Sequence, residues 1–323
     1  MAYSTTFVKL CMTFAQRKRS TSRGFTLTEL LIAIVVSGII IAGLLYVAVQ
    51  LIKIDREELA LSETQQNTRR AMDYVTRELQ EAVFVYPTEA ATLAVVNRLD
   101  NTPPGGTPIV SFWRVDPMIP EQVNSIAGCN TDACQVLRLR QSFYTLVTYF
   151  VVDNDDDPIW EGPARIVRQQ VTPYTEISGT NVTRRGNFLD PVSTTFEGWP
   201  TELTANINAP NGVVLTDSID FSVEDANVPT CEGAYSRVPA TEDENRFFVC
   251  VRDPVLSEEA IAALEVELLA EEIARDNQDL IVFMRGNATD NRAGLFTTFS
   301  ERSRLPTLES RVLVRGILDK RPQ

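Results

Sequence analysis

The sequence predicts an α+β protein in which one long N-terminal α-helix is followed by a mainly antiparallel β-sheet region. Residues 30–49 carry no charge, and the amphipathic stretch after them contains neither Gly nor Pro as far as Tyr86. Beyond residue 88, short runs rich in β-branched and aromatic residues alternate with turn residues, which is typical of strands. A predicted order of one helix followed by a series of strands favours the α+β class.

The first part of the helix, residues 25–53, is predicted to cross a membrane. At about 1.5 Å per residue, the uncharged run covers roughly 30 Å, the thickness of the hydrocarbon core of a bilayer. Glu29 lies directly before this run. Ionisable groups close to a bilayer core are costly unless they pair with another charge or serve a mechanism. Glu29 therefore requires a partner.

A basic leader, residues 1–24, precedes the helix. It contains five Lys or Arg residues and no acidic residue, whereas several acidic residues follow the apolar run. This asymmetry predicts an N-terminus in the cytoplasm and a head outside it. A secretory signal would place its apolar region before the cleavage site, but here Gly24 ends the basic segment and the apolar run comes later. Cleavage after Gly24 would keep the helix on the mature chain and create a new amine on Phe25.

Residues 24–30, GFTLTEL, resemble the class III signal of prepilins, the precursors of type IV pilins and of type II secretion pseudopilins. The resemblance implies that a prepilin peptidase cuts between Gly24 and Phe25 and methylates the new terminus. It also implies that Glu29 meets the N-terminal amine of a neighbouring subunit during filament assembly. The implied partners are other pilins or pseudopilins and the inner-membrane assembly platform. The implied fold is pilin-like, with the long helix packed on the sheet of the head.

The second part of the helix, residues 54–87, is predicted to be amphipathic. Apolar residues recur there at spacings of three and four until Pro87 ends the pattern: Met72, Val75, Leu79, Ala82, Val83 and Tyr86. A continuous helix over residues 25–86 would be about 93 Å long. We expect this stripe to pack on the sheet.

Residues 88–323 are predicted to form an extracytoplasmic, β-rich head. Strand patterns occur at residues 93–96, 109–115, 135–139, 144–152, 159–170, 213–223, 247–251, 280–285 and 311–317. Clusters of Pro and Gly at residues 103–108 and 208–212 interrupt them. Residues 254–274 predict an acidic helix with an apolar stripe, which would either pack on the head's own sheet or bind a partner.

An acidic loop joins residues 144–152 and 159–170 into a predicted hairpin. Its alternating Asp153, Asp155 and Asp157 suggest oxygen ligands for calcium, but the loop fails as an EF-hand. Pro158 stands where the turn Gly belongs, and Ala164 stands where the final Glu belongs. We interpret the loop as a solvated turn, with a looser calcium site as the alternative. No other metal and no cofactor is predicted.

The cysteines indicate an exported head. Of the five Cys residues, Cys11 lies in the leader, which leaves Cys129, Cys134, Cys231 and Cys250. Four cysteines allow three connectivities, and the short separations favour Cys129 with Cys134 and Cys231 with Cys250 in an oxidising compartment. Zinc is the competing interpretation, but the chain has no CxxC pair and no His.

Composition argues against catalysis and against nucleic-acid binding. A chain without His cannot build a Ser-His-Asp or Cys-His site, and no carboxylate pair stands out among the 43 acidic residues. Removing the five positive residues of the leader lowers the formal charge from −13 to −18. An acidic surface repels phosphate backbones.

These features favour a structural subunit over an enzyme. It would be a single-pass protein of the inner (cytoplasmic) membrane with a periplasmic or extracellular head, and it would join an envelope filament. The large head resembles minor pilins of type IV pili, J-type pseudopilins of type II secretion and, more distantly, cyanobacterial pseudopilins of polysaccharide secretion. The alternative is a signal-anchored extracytoplasmic protein that binds calcium or a glycan and never enters a filament.

Overall fold

The computed structural model describes ten stretches of the chain, and its contacts divide the chain after Glu57 into two units that are described separately. The described stretches are residues 24–129, 131–154, 159–160, 162–178, 181–220, 228–233, 235–240, 245–252, 278–288 and 305–315. The predicted acidic helix at residues 254–274 lies outside the described residues.

The first unit consists of the beginning of helix α1, which spans Leu27–Gln80 and continues into the second unit. Within residues 27–57 every turn is α-helical, and nearly all side chains are exposed. Gly38 and Gly43 do not interrupt the helix, although each costs roughly 1 kcal/mol of helix propensity relative to Ala.

Helix α1 ends six residues earlier than the sequence pattern predicts. Gln80 is its last residue, and Ala82–Val85 form strand β1. The predicted amphipathic half, residues 54–87, and the predicted continuous helix, residues 25–86, are therefore both too long at their C-terminal end and must stop at Gln80. The physical reason is that Val83, Phe84 and Val85 are β-branched or aromatic and that β1 pairs antiparallel with a distant strand, which local spacing does not reveal.

The second unit contains a five-stranded antiparallel sheet in the order β1-β3-β4-β5-β9. Its further strands are β3 (Thr107–Pro117), β4 (Ser142–Asp153), β5 (Ala164–Val171) and β9 (Val213–Ile219). The hairpin of β4 and β5 confirms the predicted pairing across the acidic loop. The second of these strands begins at Ala164, five residues later than predicted.

A second antiparallel sheet has four strands in the order β10-β11-β12-β13. They are β10 (Tyr235–Val238), β11 (Phe247–Arg252), β12 (Asp279–Met284) and β13 (Leu308–Leu313). The side chain of Gln278 connects the sheets, because it bonds both the N–H and the C=O of Val85 at 2.8 Å. This contact covers the edge of β1, where backbone groups would otherwise lack partners.

The main hydrophobic core forms where the end of α1 and both sheets meet. Ala71, Met72, Val75 and Leu79 supply the helix side, and all four are buried. The sheets contribute mainly Val, Ile and Phe side chains to the same cluster. A long helix packed on mainly antiparallel sheets is the α+β fold that the sequence predicts.

Two of the predicted strands are helices in the structure. Residues 93–96 belong to α2 (Glu89–Val96), and residues 135–139 belong to α4 (Asp132–Arg140). Each helix starts at a Thr whose hydroxyl accepts a backbone N–H, Thr88 for α2 and Thr131 for α4. An N-cap of this kind stabilises a helix by about 1 kcal/mol, so the caps outweigh the apolar content of the short runs.

The smaller elements flank the first sheet. They are a parallel pair of β2 (Leu99–Asp100) and β8 (Ile207–Asn208), a hairpin of β6 (Tyr174–Ser178) and β7 (Asn181–Arg184), and the helices α3 (Pro120–Ser125) and α5 (Trp199–Glu202). A 3₁₀ turn spans Pro191–Ser193. Aromatic side chains around Trp113 and Trp199, whose ring centroids are 5.0 Å apart, form a further cluster.

Candidate processing and assembly site

The proposed cleavage site lies just before helix α1, which begins at Leu27. Thr26 directly precedes the helix, and its hydroxyl accepts the backbone N–H of Glu29 at 3.3 Å. The Thr26 carbonyl accepts the N–H groups of Glu29 and Leu30 at 3.1 and 3.2 Å. This capping leaves Gly24 and Phe25 outside the helix.

Gly24 and Phe25 are both exposed. No atom of the described residues lies within 4 Å of a Cβ built on Gly24, and Phe25 is 80% exposed. A peptidase requires an accessible backbone around its scissile bond. The geometry is therefore compatible with cleavage of the Gly24–Phe25 bond.

Glu29 lies in the first turn of α1, and its side chain is exposed. A negative charge is stabilised there by the partial positive charge of the helix N-terminus. Within the described part of the chain, its carboxylate forms no ion pair or side-chain hydrogen bond. The carboxylate is thus accessible to a positive group from another molecule.

The residues after Glu29 present apolar side chains on all sides of the helix. Among the described residues, α1 is the one helix long and apolar enough to cross a membrane, with a mean hydropathy of 2.8 over its most apolar window. Leu30, Ile39 and Leu44 are each more than half exposed. Such an apolar surface requires lipid or neighbouring helices to cover it.

The acidic loop gains no support as a calcium site from its described residue. Asp153 forms an ion pair with Arg246, so its carboxylate is already engaged. The neighbouring Asn154 bonds the carbonyl of Gly162 at 2.5 Å and accepts from Arg165 at 2.6 Å. Asp155 and Asp157 lie outside the described residues, and the described ones contain no group of three potential metal ligands.

The four head cysteines form two disulfides, Cys129–Cys134 and Cys231–Cys250, the pairs that the short separations favour. The first closes the connection between α3 and α4, and both of its cysteines are buried. The second attaches residue 231 to strand β11 beside a buried cluster that includes Phe248. Each disulfide therefore anchors a connecting segment to the head.

Two clefts on the described part of the head are small. Their volumes are about 20 and 190 Å³, and both are lined by Phe143 and Tyr174. Typical small-molecule sites have volumes of roughly 300–1,000 Å³. Neither cleft offers the room of such a site.

A buried charged cluster, which the sequence pattern does not predict, holds the end of α1 on the first sheet. Glu78 is only 4% exposed and accepts bonds from Arg168 Nε and Nη2 at 2.8 and 2.6 Å. Arg114 Nη1 lies 2.5 Å from the same carboxylate, and Tyr149 donates its hydroxyl to it. Arg114 is also paired with Asp116 at 2.6 Å. We name these five residues the Glu78 cluster.

The Glu78 cluster has perturbed ionisation. Burial alone would raise the pKa of Glu78, but the hydrogen bonds from Arg168 and Tyr149 and the charges of both arginines outweigh it and lower that pKa. Burial, together with the adjacent Glu78 carboxylate, raises the pKa of Tyr149. Glu78 is therefore ionised and Tyr149 neutral at pH 7, which suits a short hydrogen bond from the hydroxyl to the carboxylate.

Only one signal could have revealed this cluster in the sequence. Glu78 follows Val75 by three positions and precedes Leu79, so it falls on the buried face of α1. Its partners lie 36 and 90 positions away in β3 and β5. A charged residue on an apolar helix face predicts a partner, but the sequence does not identify which one.

Comparison with known proteins matches the N-terminal segment. The family model of the prokaryotic N-terminal methylation motif matches residues 19–45. This range contains Gly24, Phe25, Glu29 and most of the apolar run. No curated protein matches the chain. No solved structure matches it either.

The residues matched by the family model include the exposed Gly24, Phe25 and Glu29 at the start of α1. The matched motif is a prepilin-type signal, which implies processing by prepilin peptidase and, in general, pilin assembly. In the structure it covers the capped start of α1, and the same helix ends on mainly antiparallel sheets. The chain thus carries a type IV pilin-like, prepilin-type N-terminal methylation signal at the start of its long apolar helix.

Proposed function

We propose that this protein is a structural subunit, a minor pilin or pseudopilin, of a type IV pilus or a type II secretion-like filament. Its leader is removed at the Gly24–Phe25 bond, and its N-terminal helix then packs among those of other subunits. The observation that carries the proposal is the position of Glu29. Its exposed carboxylate belongs to the fifth residue after the proposed cleavage point and lies at the edge of an apolar surface.

The pairing of Glu29 follows from electrostatics. Once neighbouring helices or lipid cover the apolar surface, an isolated carboxylate becomes costly. The cleaved terminus supplies a positive amine on Phe25 of an adjacent subunit. Two opposite charges that are forced into an apolar environment gain far more from pairing than they would in water. The contact therefore sets the register between adjacent helices.

The remaining features agree with such a role. The basic leader and the two disulfides support a cytoplasmic N-terminus before cleavage and a head outside the inner membrane. The prepilin peptidase, other pilins or pseudopilins and the inner-membrane assembly platform are the proposed partners. We also propose that the protein is not an enzyme, because a chain without His lacks the commonest general acid–base group.

Substitution of Glu29 tests this function. In the cells that produce the filament, we expect tagged Glu29→Ala to be cleaved and inserted normally but absent from the sheared or purified filament fraction. Glu121→Ala removes an exposed carboxylate from the described part of the head and serves as the matched control, with normal incorporation. Equal incorporation of Glu29→Ala and wild type would remove Glu29 from its proposed role.

A further inference from the structure

The exposed face of α1 in the second unit has its charges separated along the helix. Residues 58–66 contain Glu58 and Glu63 and no basic residue, which gives a net charge of −2. Residues 67–77 contain three Arg and one Asp, which gives +2. We call Glu58 and Glu63 the glutamate face, and Arg69, Arg70 and Arg77 the arginine face. Residues 58–66 and residues 67–77 therefore carry equal and opposite net charge.

The side chains of both faces are exposed and lack partners in the described part of the chain. All five belong to exposed residues, and none forms an ion pair or a side-chain hydrogen bond with another described residue. Tyr74, which is 43% exposed, lies between Arg70 and Arg77 on the same surface. An Arg-Tyr-Arg arrangement is a composition that protein interfaces favour.

The buried face of the same helix shows the opposite situation. Glu78, one residue after Arg77, is fully matched by Arg114 and Arg168 inside the head. The head therefore supplies partners for the buried Glu78 carboxylate, whereas the described part of the chain supplies none for the arginine face. In a mature chain of net charge −18, three clustered arginines that have no partner among the described residues indicate an acidic partner.

We propose that the arginine face of one copy binds the glutamate face of a second copy, with the two helices parallel and shifted along their axes. This inference rests on the proposed filament function, which supplies the parallel packing. The centres of the two faces are about 11 to 12 residues apart, or roughly 17 Å at the standard rise. Unshifted parallel helices would place like charges together, whereas a shift of this size places Glu58 beside Arg70.

This contact differs from the one made by Glu29. A bond from the Phe25 amine to Glu29 requires a shift of only four residues, or about 6 Å. The two contacts therefore involve different neighbours around the same helix. One sets the register at the apolar end, and the other recognises a copy of this chain outside the apolar segment.

Cross-linking between two tagged copies tests the contact directly. One full-length copy carries Glu58→Cys and the other Arg70→Cys, and both are expressed with the filament machinery. We expect a disulfide-linked species that carries both tags. Pairing Glu58→Cys with Arg138→Cys, an exposed position on α4, is the matched control and should give none. The proposed contact would be overturned if the two cysteine copies entered filaments without forming this cross-link. It would also be overturned if the control pair gave an equal yield of cross-linked species.

Charge reversal gives an independent test. We expect Arg70→Glu with Arg77→Glu to lower incorporation at least about fivefold, because attraction becomes repulsion at two exposed positions. Adding Glu58→Arg and Glu63→Arg to the same chain should restore it. Unchanged incorporation of the double variant, or no rescue in the quadruple variant, would contradict the contact alone. Failure of the wild-type chain to enter a filament would contradict the proposed function and the contact together.

Discussion

Neutralising Glu78 tests the Glu78 cluster, which holds the end of α1 on the head. Glu78→Gln keeps the shape of the side chain and removes its charge. Arg168, whose side chain is 12% exposed, then loses its ion pair inside the protein, whereas Arg114 keeps Asp116. Removing one partner of a buried pair typically costs 3–5 kcal/mol. We expect about 3 kcal/mol, at the lower end of that range, because only one of the two arginines is left without a carboxylate.

The expected loss can be measured in the purified mature protein in detergent. All three Trp residues lie in the head, and Trp113 and Trp199 are fully buried, so Trp fluorescence during a urea titration reports on the head alone. For a unit of this size, about 3 kcal/mol corresponds to a fall in melting temperature of roughly 6–12 °C. Asp73→Asn removes an exposed carboxylate from the same helix and should change stability by less than about 0.5 kcal/mol. Equal stability of the two variants would refute the reasoning.

The lowered pKa of Glu78 predicts that the difference in stability between wild type and Glu78→Gln depends on pH. The pKa of Glu78 in the folded protein lies below its ordinary value of 4.5, so the unfolded chain takes up the proton first as the pH falls. The stabilisation by Glu78 is fully present above pH 4.5 and is lost as the pH falls from there through the lowered pKa. We expect wild type and Glu78→Gln to converge in stability below pH 4.5. A constant difference between them down to pH 3 would contradict this assignment.

Two further predictions concern the head. Replacing Cys231 and Cys250 with Ser should lower the free energy of unfolding by about 3 kcal/mol, because that disulfide spans 19 positions. Removing the other disulfide, which spans only 5 positions, should cost about 2 kcal/mol, and the reverse order in urea titrations would contradict the loop-closure argument. Gly286→Ala should destabilise the head by about 1–3 kcal/mol, because the added Cβ overlaps the Thr68 hydroxyl of α1. Gly128→Ala, where no atom of the described residues lies within 4 Å of the new Cβ, is its control, and equal melting temperatures would show that the close approach is unimportant.

The processing signal could be predicted from the sequence because its residues are contiguous. The proposed cleavage site, the helix cap and the carboxylate fall within six residues, and no tertiary contact is needed to bring Gly24, Phe25 and Glu29 together. The apolar helix was predictable for a related reason, since its length and composition are local properties. The strands with long β-branched or aromatic runs, such as β3 and β4, also follow from local pattern.

The features that the sequence did not reveal depend on distant partners or on weak local signals. Residues 82–85 fit the helical stripe, but pairing with β3 makes them a strand. The apolar run at residues 93–96 suggests a strand until the Thr88 cap is considered. The Glu78 cluster combines residues from α1, β3, β4 and β5, which only the folded sheet brings together.

The most direct test of the central claim is the N-terminus of the mature protein. The full-length chain is expressed with and without a prepilin peptidase, and its intact mass and N-terminal peptide are determined by mass spectrometry. The account predicts that the peptidase removes residues 1–24 and leaves a chain that begins with N-methylated Phe25, and that Gly24→Leu prevents the cut. A chain that stays uncut, or that is cut after the apolar run, would contradict the account.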